Sequence, residues 1–410
     1  MQQKKEMHAV HKKMMIRLSA VVLFLAMALF LRIGARRIPG FADAYARICN
    51  PFWRGVIGRI VGWLPFSLAE LLIYAAILVL VIWLVRLLIL LLRKVQKKKT
   101  GADVGHYLLG SLLKLCLIAA IYFFLFEANE DVYFCAEGFA KVNGFGQGSY
   151  TTEELYRVSA LQVERINALA DAVSRDAAGV MQLTGTDDGR EDIRDRVREA
   201  MRDVSETYHP VGYAGEAGKP DKVTRQSEES DIANRQSGKP AFFPRPKGIL
   251  VSWALSYTHF SGISSVYTVE ANYNRDMTAY NIPFTMCHEL AHLWGVLPEN
   301  EANFVAYLAT RDAEDTDIAY SGAVLGWIYC GNELYKRDRD LWAELWQEID
   351  DRAKKDMDAN NAFWKQYQGK ASEKAQQLND AYLKAEGLPE GRLSYDMVVD
   401  LIVDYEIEKE

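Results

Sequence analysis

The 410-residue chain has few cysteines and few histidines, and over most of its length it lacks a surplus of positive charge. Its five cysteines (Cys49, Cys116, Cys135, Cys287, Cys330) are too few and too scattered to staple a disulfide-dense scaffold. Three lie beyond residue 127, so at most one bridge is expected there. Residues 128–410 hold 30 Lys and Arg against 49 Asp and Glu. That balance argues against nucleic acid as a partner, because phosphate recognition needs clustered cations. Half of the residues are hydrophobic and a quarter charged, which excludes wholesale disorder. The length allows roughly two or three domains.

Residues 1–127 have the opposite balance, 18 Lys and Arg against five Asp and Glu, and contain three long apolar runs. Residues 18–31 carry no charge and are bracketed by Arg17 and Arg32. Leu71–Leu92 is interrupted only by Arg86, and Tyr107–Phe126 only by Lys114. These runs predict membrane spans near 15–33, 67–92 and 106–126, with Arg86 and Lys114 snorkelling to the interfaces. A cleaved signal peptide is the rival reading of the first run, but RIGARR follows it without a small-x-small cleavage site.

Ten cations lie in the N-terminal tail (Lys4, Lys5, Lys12, Lys13, Arg17) and in the loop after the second run (Arg93, Lys94, Lys97, Lys98, Lys99). Glu127, Glu130 and Asp131 follow the third run. The expectation is a multi-pass protein of the cell membrane, in contact with the lipid bilayer, its N-terminus cytoplasmic and 128–410 extracytoplasmic. The segment FADAYARICNPFWRGVIGRIVGW (41–63) reads as an interfacial amphipathic stretch, with Phe52, Trp53 and Trp63 suited to the headgroups.

Beyond residue 127 the pattern is α+β and dominated by helices. Thr151 and Glu154 form a capping box that opens a helix with apolar positions at Leu155, Val158, Leu161, Val163 and Ile166. A polar helix is expected near Arg190–Thr207, and a long flexible surface loop over 210–247. GILVSW (248–253) reads as a buried strand and SSVYTVEANY (264–273) as an edge strand able to pair with an extended peptide. The last hundred residues read as helices, ending in an acidic, solvated tail.

The informative stretch is PFTMCHELAHLWGVLPENEANFVAYL (283–308), which contains HExxH as His288, Glu289 and His292. On a helix, positions i and i+4 share a face, so the two imidazoles can bind one Zn2+ ion. Glu289 lies about 100° round from His288, placed to act as general base rather than ligand. A catalytic zinc needs a third protein ligand and an open fourth position. Gly295 is suited to end this helix and Pro298 to open the next at its first position. Glu299 and Glu301 are then about 200° apart, so only one faces the metal. Glu299 is favoured because Asn303, one turn on, shares its face and is expected to steady a ligand histidine. Cys287 points away and reads as a small buried residue, and Trp294 and Phe304 read as core.

HExxH followed by E-x-x-A-N (Glu299, Ala302, Asn303) resembles the gluzincin pattern, in which the first Glu of that motif is the third ligand. PENEANFVAYL is similar to a segment of the ImmA/IrrE-type metallopeptidases. The whole layout most resembles a bacterial family, domain of unknown function 3810, on PFSLAELL (65–72), VEANYN (269–274), HELAH, ENEANF and LSY (393–395). The resemblance implies a helix-dominated zincin-like metallopeptidase domain (128–410) behind a three-span membrane domain (1–127). It implies His288, His292 and Glu299 as zinc ligands and Glu289 as catalytic base. The interval from His292 to Glu299 is shorter than in most gluzincins, and Asn303 stands where Asp is usual.

The expected function is zinc-dependent hydrolysis of a peptide or protein substrate. Tyr395, His259 and His209 are the residues available to stabilise an oxyanion, with Tyr395 favoured by the LSY resemblance. The alternative is a non-enzymatic membrane sensor or scaffold whose zinc site is structural or vestigial.

Overall fold

The computed structural model describes residues 2–95, 101–146, 148–185, 192–210, 240–385 and 397–409. Helix α1 covers Gln2–Arg37 and α2 covers Phe41–Trp53; after a π turn at Arg54–Gly58, α3 covers Arg59–Gly62. Helices α4 (Leu68–Val95) and α5 (Gly101–Phe126) follow, and α5 continues through a second π turn, Glu127–Asp131, into a short α6, Val132–Phe134. Three stretches, Lys12–Arg37, Leu68–Arg93 and Tyr107–Phe134, are long and apolar enough to cross a membrane, which matches the three apolar runs. Arg86 and Lys114 are exposed. At the C-terminal end of the first of these stretches, Arg32 reaches Glu127 at 3.0 Å and Arg36 reaches Asp131 at 2.7 Å. Both acids are fully buried, so the two ion pairs tie α1 to the end of α5.

The remainder begins with α7 (Phe139–Asn143), α8 (Thr152–Leu169) and α9 (Ile193–Thr207). Helix α8 has the capping box expected at Thr151 and Glu154. Asp192 caps α9, so that helix starts slightly later than its polar pattern suggested. Next come β1 (Lys247–Gly248), α10 (Ser252–Thr258), β2 (Gly262–Ser265) and β3 (Glu270–Tyr273). Helices α11 (Asn281–Trp294), α12 (Glu299–Arg311), α13 (Thr316–Arg337), α14 (Arg339–Glu348), α15 (Asp351–Lys365), α16 (Lys370–Ala385) and α17 (Val398–Lys409) complete the chain. The core lies where α8, α11, α12 and α13 pack around Leu290, Phe304, Tyr307 and Val324. Trp294 sits between Phe139 and Phe243, with ring centroids 5.9 and 6.0 Å away, and Phe304 is buried beside it, so both are core residues as expected. All five cysteines are free thiols.

The sheet differs from its sequence reading in two places. Residues 248–253 do not form a strand; only Lys247 and Gly248 pair, parallel to Asn272 and Tyr273 of β3. Ile249 N still donates to Tyr273 O at 3.1 Å, but the two amides after it are captured by a side chain instead. The Glu70 carboxylate accepts from Leu250 N and Val251 N, both at 3.0 Å, and the chain turns into α10. The stretch 264–273 is not one edge strand but parts of two. Val269 adopts a positive φ of 54°, and the backbone folds β2 antiparallel onto β3, with Gly262 opposite Tyr273 and Ser265 opposite Glu270. The order is β1-β3-β2, so among the described residues β3 is central and β1 and β2 are the edges.

Glu270 contacts no open groove. Its carboxylate accepts from the first amides of α4, Leu68 N at 2.9 Å and Ala69 N at 2.8 Å, and pairs with the buried Lys247 ammonium at 2.6 Å. Glu70 and Glu270 thus form a reciprocal clasp between α4 and the sheet. The acidic C-terminal tail is also more than a solvated end. Glu406 is buried and binds Arg165 (3.0 Å) and Arg311 (2.5 Å), with the Tyr307 hydroxyl donating to it as well. Burial opposes its charge, yet these donors hold the Glu406 carboxyl down to about 2. Most of the expected loop over 210–247 lies outside the described residues, as do the 96–100 cations of the basic loop.

Candidate metal centre

Helix α11 is apolar on nearly every side because it runs through the core; Met286, Cys287, Leu290 and Ala291 are wholly buried. Cys287 is the small buried residue expected, and burial pushes its thiol up. Gly295 ends the helix with a φ of 101°, a left-handed conformation that glycine adopts without strain. The reversal lets Val296 N donate to Ala291 O at 3.0 Å and returns the Val296 carbonyl to the helix end. Pro298 stands one position earlier than expected: it is the residue before the helix, and Glu299 is the first residue of α12.

This hairpin brings His288, His292 and Glu299 together. Glu299 Oε2 lies 3.1 Å from His288 Nε2 and 3.7 Å from His292 Nε2, and the two imidazole Nε2 atoms are 3.0 Å apart. One ligand atom from each residue lies within 4.8 Å of the other two, and this is the one such group of three among the described residues. Between 11% and 15% of each side chain remains exposed, so the cluster is recessed but not sealed. Two imidazole nitrogens and a carboxylate oxygen are a donor set suited to zinc.

His292 Nδ1 meets the Val296 carbonyl at 2.9 Å. A proton held there leaves Nε2 with its lone pair toward the cluster, the tautomer a metal ligand needs. The expected role for Asn303 is not seen. Its amide nitrogen and His288 Nδ1 are both buried without a hydrogen-bond partner. The orienting contact comes instead from a backbone carbonyl in the reversal, which no side-chain motif announces.

Electrostatically the cluster holds a coupled pair. Burial opposes charge on His292, but Glu299 beside it carries the imidazole up to about 9. Burial also opposes charge on Glu299, yet the two imidazoles hold its carboxyl well below the usual range. Glu301 points elsewhere. Its oxygens accept from Phe139 N at 2.7 Å and Ala140 N at 3.3 Å, capping α7.

Glu289 is buried, and its Oε2 has no hydrogen-bond partner. Burial pushes its carboxyl up to about 6 against the pull of His288 and His292. Strand β2 passes directly over it: a Cβ placed on Gly262 would come within 2.5 Å of Glu289 Oε1. A second carboxylate comes from the π turn that follows α5. Glu130 meets the Tyr382 hydroxyl of α16 and interacts electrostatically with His292 and Glu299. In the sequence Glu130 bears only on membrane topology, and Tyr382 stands in no motif. Neither has a sequence signal, because their approach to the cluster depends on how α5 and α16 pack.

The remaining expected residues are scattered. His259 ends α10 with a φ of 59° and packs on Trp364 at 5.4 Å. The backbone of His209 is held by Asn143 beside α7. Tyr395 and the LSY segment lie outside the described residues.

No curated protein matches the chain, and no solved structure does. A family model matches residues 45–403, which takes in the second and third apolar helices, the sheet and the His288–Glu299 cluster. The chain therefore belongs to the family described as Protein of unknown function (DUF3810).

Proposed function

We propose that the chain is a membrane-anchored, zinc-dependent metallopeptidase with a zincin-like domain, in which Glu289 serves as general base. The observation that carries this reading is the convergence of His288, His292 and Glu299 beside a buried carboxyl oxygen of Glu289 that nothing else engages. His288, His292 and Glu299 would hold the ion. Bound zinc acidifies a water and polarises a carbonyl. Glu289 would take the proton of the attacking water at its free oxygen as the water oxygen bonds to the scissile carbonyl carbon. It would return that proton to the amine that leaves as the C–N bond breaks. The Val296 carbonyl keeps His292 in the ligand tautomer. The free edge of β2 offers backbone groups to an extended peptide, which would then lie across Glu289. The positive-inside balance orients this domain outside the cytoplasmic membrane, and a reporter fused at about residue 140 tests that orientation.

The decisive experiment uses the full chain in detergent. Zinc per protein is measured alongside hydrolysis of casein, for the natural sequence and for Glu289→Gln. The reading requires bound zinc in both and hydrolysis only in the first. Zinc in both with hydrolysis in neither would favour a structural metal site in a sensor or scaffold.

A further inference from the structure

Contacts between the soluble elements and the membrane helices set the height of the candidate site. Tyr122 of α5 stacks on Tyr267 in the β2–β3 loop, with centroids 4.1 Å apart. Tyr267 lies in the loop that leaves β2, whose first residue, Gly262, sits over Glu289. From the π turn that continues α5, eight residues beyond Tyr122, Glu130 interacts electrostatically with His292 and Glu299. On the other side, the Glu70–Glu270 clasp fastens the sheet to the first turn of α4. The cluster thus stands within a few helical turns of the ends of two candidate spans.

The elements at this level expose apolar side chains. Ile48, Phe52, Val56, Ile60 and Trp63 recur every three or four residues from α2 to α3, between 41% and 90% exposed. The segment hangs between α1 and α4, so both its ends are anchored where membrane helices begin or end. Leu250 and Trp253, beside the first turn of α4, are likewise more than half exposed. Arg59, Arg198 and Arg245 line a cavity of about 660 Å³ with Ile60, Trp63 and Phe242. Arg198 and Arg245 pair with Asp195, whereas the Arg59 guanidinium lies 5.0 Å over the Phe242 ring. An apolar row bordered by arginines and strung between two spans matches the boundary between acyl chains and phosphates.

We propose that residues 41–63 and the Leu250–Trp253 turn form a bilayer-facing surface that holds the cluster at headgroup level. Its substrates are then extended polypeptide segments that lie close to a membrane anchor and add to the edge of β2. The word substrate rests on the hydrolytic reading; the placement of the surface does not.

Nitroxide labels test the placement in the full chain, reconstituted in phosphatidylethanolamine–phosphatidylglycerol vesicles with Cys49, Cys116 and Cys135 replaced by serine. Labels on Ile60→Cys and Trp253→Cys should lie below the phosphates, Ile263→Cys close to them, and Asp171→Cys in water. Aqueous collision rates at positions 60 and 253 as high as at 171 would overturn the placement. The second arm compares free casein with a casein segment joined to a single membrane helix by about four or about forty residues. The short tether should be cleaved about tenfold faster or more, because it confines the segment to the site. Equal rates overturn the substrate class. If none of the three is cleaved while the labels report headgroup depth, the hydrolytic reading has failed and the bilayer-facing surface stands.

Discussion

Gly262 and Glu289 are in direct contact across the candidate site: the strand residue leaves only enough room above the carboxylate for a hydrogen, and a Cβ there would lie 2.5 Å from Oε1. The edge strand therefore sets where the proposed base points. Gly262→Ala should displace the carboxylate while leaving the three ligand residues untouched. The expected outcome is unchanged zinc content with hydrolysis reduced by about 100-fold, the cost of misplacing a reacting group by about 1 Å. Metal analysis and a casein assay on one preparation check it, and loss of zinc would show that the strand supports the ligands instead.

Glu299 and Glu301 face different parts of the fold, and their alanine variants should separate cleanly. Glu299→Ala should lose most of its zinc, because one of three protein ligands is gone. Glu301→Ala should keep its zinc but lower the melting temperature, since two amides of α7 lose their acceptor, at a cost of about 1–2 kcal/mol. Zinc content and thermal unfolding in detergent distinguish the two.

The Lys247–Glu270 pair is buried, and its carboxylate also caps α4. Glu270→Gln leaves the ammonium without a counter-charge and should destabilise the protein by about 3–5 kcal/mol. Adding Lys247→Met should recover part of that loss, because the stranded charge is then absent. Thermal unfolding of the two single variants and the double variant tests this, and strictly additive losses would rule out the coupling.

Glu406 links stability to acid pH. Its carboxyl is depressed to about 2 in the folded protein and returns to the ordinary range of about 4.3 on unfolding. Its contribution is therefore complete above about pH 4.3 and is lost as the pH falls toward 2. Glu406→Gln should lower stability at neutral pH and flatten the acid limb between those values. Melting temperature measured against pH for both proteins checks the sign.

Much of the architecture was legible in the chain because it is decided over a few residues. The three candidate spans follow from long apolar runs, the start of α8 from Thr151 and Glu154, and the end of α11 from Gly295. His288 and His292 share a face by helical spacing alone, and the short reversal that follows brings Glu299 rather than Glu301 onto them. Local spacing failed at the sheet, where 248–253 reads as a strand only until Glu70 takes its amides.

What tertiary structure alone decided are the fates of the buried charges. Glu270 meets Leu68 across 202 residues of chain, and Glu406 meets Arg165 across 241. Nothing in the neighbouring residues distinguishes these acids from solvated ones. A carboxylate is buried only where the fold delivers amide or guanidinium donors to replace its water, and at Glu270 and Glu406 those donors come from distant elements.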